Sequence, residues 1–506
     1  MSSRLAVAIM AVLAIAIGFS ELHKAGDGLR IVSTEVGRTP ITIFQPEATG
    51  PVPVVVIAHG FAGSQQLMQP FAETLARNGY VAVTFDFLGH GRNPVPMHGD
   101  ISEGKTITSE LLQELGEVSA YARSLPESDG RMAVLGHSMA SDIVIRFAQA
   151  DPEIAATVAV SVFSPVVTAA SPRNLLVIVG ALEPSMLRNE GLRIVNLAGD
   201  GKAVAGETYG RFVDGTARRL VLARGVEHIG VLYNHDSLTQ SLQWMNAVFG
   251  RNRMGFIDSR GRWLALLFLG IVALAWPLSA LLPLLNETSA GAGLPWKNLL
   301  IAAVAPAVLT PLILWKMPTD FLPILLGDYL TLHFLLYGLL TAALLLFWRG
   351  RPDGRNPGSA SPKSLAIATS SVAAYSIVAF GLPIDAYLFS FLPIPARIPL
   401  MAAIACGTLP YFVADEWLTR GAQARRGGYA LTKFCFLLSL AIAVGLNPMK
   451  LFFLIIIVPA ILLLFLAFGL ISRWSYQATH HPLPGAVANA AVFAWAIAVT
   501  FPMIIR

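Results

Sequence analysis

The stretch Arg131-Met132-Ala133-Val134-Leu135-Gly136-His137-Ser138-Met139-Ala140-Ser141 decides the fold. An apolar run over 132–135 enters Gly136-His137-Ser138-Met139-Ala140, and a helical pattern follows over 141–150. A strand that passes this sharply into a helix needs small residues two positions before and after the serine. The turn lifts the Ser138 hydroxyl above the sheet. The helix that starts there points its N-terminus at any anion forming beside the hydroxyl. Alone, G-x-S-x-A is a weak signal, and a serine among small residues is usually a packing feature or a helix cap. Between a strand and a helix the signal is strong.

Outward from this turn, short β-rich runs occur at 54–58, 81–85, 157–162, 175–179 and 219–222. Amphipathic stretches at 65–78, 107–124 and 141–150 lie between them. Strands separated by helices predict βαβ units and an α/β domain with a mainly parallel sheet, covered by helices on both faces. The runs 31–34 and 41–44 could add antiparallel strands at one edge.

These segments resemble the α/β-hydrolase superfamily, most closely its dienelactone-hydrolase-like and related esterases. The resemblance rests on the elbow around Ser138, on His59-Gly60-Phe61 after a strand, and on Asp86-Phe87-Leu88-Gly89-His90-Gly91 after the next. It covers roughly 30–250, and Ala140 stands where the elbow often has glycine. It implies a nucleophile at Ser138 and oxyanion-hole donors in the backbone N–H groups of Phe61 and Met139. The family order is serine, acid, histidine. Glu183, after the run 175–179, is the candidate acid, with Asp214 and Glu227 as rivals. His228, after the run 219–222, is the candidate base. His59 reads as a loop support, His137 as a shape-filling elbow residue and His90 as a turn residue near Asp86.

The chemistry follows from these residue types. A serine hydroxyl becomes a useful nucleophile only when a base takes its proton. His228 would take it and return it to the leaving group, with Glu183 orienting the imidazole. The reaction class is acyl transfer, and it needs no cofactor or metal. No insertion of lid size separates 162 from 175, and 184–216 could form a modest cover.

The rest of the 506-residue chain is of another kind. Only 13% of residues are charged and the mean hydropathy is +0.61, values of a polytopic membrane protein. The division predicted is 1–24, a first span; 25–260, the α/β-hydrolase domain; and 261–506, an all-α transmembrane domain of eight spans. Those eight fall near 263–285, 298–315, 322–348, 364–382, 396–414, 430–447, 450–472 and 485–504, each long enough for a hydrocarbon core of ~30 Å. The segment 5–19 could be a cleavable signal peptide. The lack of a small-x-small cleavage site before Glu21 favours an uncleaved anchor. The stretch 350–364 reads as a hydrated loop, and 382–395 as an irregular segment that could re-enter the membrane.

The net charge of +5 does not indicate nucleic acid, because the basic residues gather in short loops between apolar segments. With Arg4 inside, nine basic residues fall in the inside loops and four outside. That bias places the α/β domain outside a bacterial inner membrane. Arg251, Arg253, Arg260 and Arg262 run against it. Both cysteines, Cys406 and Cys435, lie in the membrane half, so the α/β half has no thiol nucleophile.

Asp328 with His333 is the best candidate for an intramembrane polar pocket, whereas Asp415 and Glu416 read as interfacial. The function expected is cleavage of a hydrophobic, lipid-like ester at the bilayer. A membrane acyltransferase with the same triad is the second reading, and a transporter or scaffold with a degenerate hydrolase domain the third.

Overall fold

A computed structural model describes residues 3–47, 50–99, 105–199, 201–349 and 361–505. Most of the expected loop at 350–364 lies outside the described residues. The chain forms two compact units. One is Met1–Ala16, Leu267–Pro383 and Leu392–Phe501; the other is Ile17–Leu266, Ile384–Phe391 and Pro502–Arg506.

The second unit is built on a nine-stranded sheet in the order β1-β2-β4-β3-β6-β7-β8-β10-β9. Its strands are β1 (Leu29–Val36), β2 (Thr39–Pro46), β3 (Val52–Ala58), β4 (Val81–Phe85), β6 (Ser128–His137), β7 (Ile154–Val160), β8 (Leu175–Gly180), β9 (Thr208–Tyr209) and β10 (Arg218–Ala223). The short β5 (Met97–His98) lies outside this sheet. From β4 to β10 the neighbours are parallel. β1 and β2 are the antiparallel edge the runs at 31–34 and 41–44 suggested.

Every residue of β3, β4 and β8 is buried, as strands covered on both faces require. Side chains alternate between the faces. Val55, Ile57, Ala133 and Leu135 pack with Phe71 and Leu75 of α2 (Gln69–Arg77) and with Leu242 and Met245 of α6 (His235–Phe249). Val177, Val179 and Leu220 pack on the other face, with Ile145 of α4 (Met139–Ala150) and with Ile194 and Val195 of α5 (Ser185–Asn196). The last contact corrects part of the reading of 184–216 as a cover: over 185–196, α5 turns its apolar side to the sheet. α3 (Lys105–Arg123) carries the buried Glu114.

The arginines before the first span of the membrane half are partly accounted for inside this unit. Arg260 is buried in ion pairs with Glu73 at 2.5 Å and Asp258 at 2.7 Å. Arg251 lies over the Tyr80 ring.

The first unit is helical. Among the described residues, the chain has nine helices long and apolar enough to cross a membrane, from Ser3–Gly26 to Leu483–Thr500. Along Trp296–Leu314 an exposed stripe runs through Leu300, Val304, Val308 and Leu312. A stripe of this kind is unfavourable in water and is what acyl chains cover. The interior is aromatic: Phe334, Tyr411, Phe436, Phe465 and Phe493 form consecutive ring contacts.

Asp415 and Glu416 are buried rather than interfacial, because each meets a cation. Lys433 pairs with Asp415, and Arg420 with Glu416 at 2.8 Å. Asp328 accepts the Tyr329 and Phe321 N–H groups near the start of its helix, whereas His333 bonds Ser439 at 3.1 Å and Tyr329 at 3.4 Å. The stretch 382–395 is no simple re-entrant segment, since Ile384–Phe391 belongs to the α/β unit.

Candidate active site

β6 ends at His137 and α4 begins at Met139, so one residue makes the whole turn. Ser138 holds φ 55° and ψ −118°, a backbone state costly for a residue with a Cβ. Its N–H donates to the Val160 carbonyl at 2.8 Å, and its carbonyl accepts from the Ser141 N–H at 2.9 Å and hydroxyl at 2.6 Å. These bonds hold the strained residue in place. A Cβ on Gly136 would collide with the Ala140 carbonyl, which is why the residue two before the serine must be small.

The loops at the C-terminal ends of β8 and β10 complete the arrangement. His228 Nε2 lies 2.9 Å from Ser138 Oγ, and its Nδ1 lies 2.8 Å from Glu183 Oε2. The other Glu183 oxygen accepts from the Ser161 hydroxyl and the Gly180 N–H, both at 2.7 Å. The carboxylate is therefore aimed by two donors on one side and a histidine on the other. The rival acids stand elsewhere. Asp214 is half exposed and pairs with Arg211 at 3.3 Å. Glu227 accepts the N–H groups of Ile229 and Gly230, shaping the turn just after the histidine.

His137 does more than fill space. Its Nε2–H donates to the His228 carbonyl at 3.0 Å, and the two rings lie 4.9 Å apart. Burial, then the neighbouring His228, push its pKa well below the ordinary value. It is a neutral prop beneath the base. Neither this role nor that of Ser161 has a sequence signature, because both depend on loops 22 to 91 residues away.

The loop His59-Gly60-Phe61 passes directly over the elbow. A Cβ on Gly60 would lie 2.9 Å from the Ser138 Cβ, so only glycine permits this approach. His59 Nδ1–H donates to the Gly60 carbonyl at 2.8 Å, and its Nε2 accepts the Phe87 N–H at 3.1 Å. Burial lowers its pKa, consistent with a neutral ring that supports the loop. Phe61 follows directly on Gly60, the residue that approaches Ser138, and Met139 is the first residue of α4. His90 bonds the Leu88 carbonyl at 2.8 Å, in the turn that follows Asp86.

The turn after β4 is braced by Glu114, which accepts from Thr39, the Leu88 N–H and Asn93. All three favour the carboxylate, yet burial outweighs them and raises the pKa to about 7 from 4.5. A raised folded-state pKa stabilises the protonated fold. That contribution is full below pH 4.5 and is lost as pH rises through about 7. A shift of this size amounts to about 3 kcal/mol. Glu114→Gln is expected to flatten the stability profile of the α/β unit between about pH 4.5 and 7, measured as denaturation midpoints.

Comparisons with known proteins agree with this region of the chain. A family model described as serine aminopeptidase, S33, matches residues 49–194. That range includes Ser138 and Glu183 but not His228. The sn-1-specific diacylglycerol lipase ABHD11 of Danio rerio is 27% identical over 154 residues, 30% of this chain and 44% of its own length. Cutinase 2 of Thermobifida cellulosilytica is 26% identical over 117 residues, 23% of this chain and 42% of its own. A putative dienelactone hydrolase from Klebsiella pneumoniae aligns over 45% of this chain and 100% of its own, with a TM-score of 0.34 and 18% identity. The chain spans less than half the length of these curated relatives.

Proposed function

From the premise that this chain carries an α/β-hydrolase domain, we propose that it is a membrane-embedded serine esterase acting on hydrophobic, lipid-like carboxylic esters. The observation that carries the reading is the unbroken relay Glu183–His228–Ser138, at 2.8 and 2.9 Å. His228 Nε2 takes the hydroxyl proton as Ser138 Oγ attacks the ester carbon. The oxyanion is held by the N–H groups of Phe61 and Met139, each worth roughly 3–4 kcal/mol of transition-state stabilisation in comparable sites. The tetrahedral species collapses, the C–O bond breaks, and the imidazolium protonates the departing alcohol. Water, activated by the same histidine, then cleaves the acyl-enzyme.

The substrate class is supported by what borders the triad. Leu182 precedes Glu183 and is 66% exposed; Ile229 follows His228 and is 36% exposed. Phe163, in the loop after β7, and Met186, in the first turn of α5, are also exposed. Apolar side chains left in solvent beside a nucleophile suit an acyl chain. A lipase and a cutinase among the relatives fit the same class.

The membrane is read as a bacterial inner membrane with the α/β domain extracytoplasmic. The charge bias of nine to four supports this, and the burial of Arg260 in ion pairs removes one of the residues that oppose it. One experiment tests side and chemistry together. A membrane-impermeant fluorophosphonate should label the wild-type chain in intact cells and leave Ser138→Ala unlabelled. Labelling only after lysis would reverse the orientation. Equal labelling of the variant would remove Ser138 as nucleophile.

A further inference from the structure

Two short stretches from far along the chain are built into the α/β unit, and both reach the loops around the proposed oxyanion hole. The first is Pro502–Arg506. Its strand β11 (Ile504–Ile505) pairs in parallel with β5, giving Ile504↔Met97 and Ile505↔His98. The Met503 carbonyl accepts the Met97 N–H at 3.1 Å, and the Met503 N–H donates to the Gly89 carbonyl at 2.9 Å. Gly89 has φ +72°, and a Cβ on it would run into Met503. Met503 and Ile504 are buried, so this is a seated strand and not a loose tail.

The second stretch is Ile384–Phe391. Asp385 pairs with Arg92 at 2.5 Å, and its other oxygen accepts the Phe391 N–H at 2.9 Å. The Ser390 N–H donates to the Ser64 hydroxyl at 2.9 Å, and the Ser390 hydroxyl to Gln66 at 2.7 Å. Ser64 and Ser390 are almost fully buried.

Both stretches therefore grip the turn after β4, and Ile384–Phe391 also holds Ser64 and Gln66. Gly89 and Arg92 belong to the turn after β4, whose Phe87 N–H is accepted by His59. The His59 and His90 rings lie 5.2 Å apart, and the His90 and Phe61 rings 6.0 Å apart. Ser64 ends the loop that starts at His59, in which Ala62 holds φ 54°. A strained backbone residue persists only where its surroundings hold it, so contacts from outside the loop bear on where its backbone N–H points.

We infer that the Asp385–Ser390 segment and the Met503–Ile505 strand are positioning elements for the oxyanion loop, fixing the Phe61 N–H through the Gly89–Arg92 turn and through Ser64. The inference rests on the reading of Phe61 as an oxyanion donor. These residues touch neither substrate nor Ser138. Their loss leaves the nucleophile and base in place and loosens only the donor. The deficit is then confined to the step in which negative charge develops on the ester oxygen.

The test uses the full-length chain in detergent and a short, soluble aryl ester. Asp385→Ala, and separately a chain ending at Phe501, should lower kcat roughly tenfold to a hundredfold. That is less than the 10²- to 10³-fold of outright donor removal. KM should stay within about twofold, because ground-state binding does not use the oxyanion interaction. The double reversal Arg92→Asp with Asp385→Arg should recover most of the loss from either single reversal, which a packing defect would not do. If the shortened chain does not accumulate, the charge reversal decides alone. Wild-type kcat in Asp385→Ala, or no recovery in the double reversal, overturns the inference. Ser138→Ala, assayed in parallel, separates the two levels. Turnover surviving in that variant refutes the esterase reading itself. A dead Ser138→Ala beside fully active Asp385 variants refutes only the positioning role.

Discussion

Ser138→Ala is expected to lower kcat for ester hydrolysis by a factor on the order of 10⁶ while leaving KM and the unfolding midpoint nearly unchanged. That factor corresponds to about 8 kcal/mol of lost transition-state stabilisation. On the proposed mechanism the loss is so large because the acyl-enzyme forms on this hydroxyl and the rest of the relay acts through it. The fold is spared for a local reason. The bonds that hold residue 138 at φ 55° come from its backbone N–H and carbonyl, to Val160 and Ser141. Alanine keeps both. The side chain loses only its bond to His228. Steady-state kinetics with a soluble ester, alongside thermal unfolding in detergent, check both halves. A variant retaining more than about a thousandth of wild-type kcat would mean that another group attacks the ester.

The elbow was legible because everything that makes it lies within eleven consecutive residues: an apolar run, a glycine that cannot carry a Cβ, the serine and a helix start. The sheet was legible for a similar reason, since burial on both faces of β3, β4 and β8 demands uninterrupted apolar runs. Glu183 and His228 could be picked by their place after particular strands.

What was not legible depends on partners distant in the chain. Nothing about Ser161 or His137 announces that one aims a carboxylate and the other props the base. Asp415 reads as interfacial until the fold sets Lys433 of another helix against it. The stretch 384–391 reads as part of an irregular, re-entrant segment, and 502–504 as the end of the last membrane span. Apolar periodicity cannot distinguish a segment that meets lipid from one that completes a strand pairing with Met97.

Glu183→Gln is the second large effect expected, and its size follows from which way the amide must face. One carboxylate oxygen accepts from the Ser161 hydroxyl and the Gly180 N–H, the other from His228 Nδ1–H. The Ser161 hydroxyl could rotate to accept instead, but the Gly180 backbone N–H can only donate. The amide oxygen of glutamine must therefore occupy the Gly180 side, and its NH₂ must face His228. That NH₂ needs an acceptor, so Nδ1 gives up its proton and Nε2 carries it. Nε2 then donates to Ser138 Oγ and has no lone pair with which to take the hydroxyl proton. The base is present, packed as before, and in the wrong tautomer. A fall of about 10⁴ in kcat is expected, as where the corresponding acid is replaced by its amide in other triads. KM should be near wild type and fluorophosphonate labelling correspondingly slow. Activity within about tenfold of wild type would move the acid's role away from Glu183, and Asp214→Asn and Glu227→Gln would then be the variants to measure.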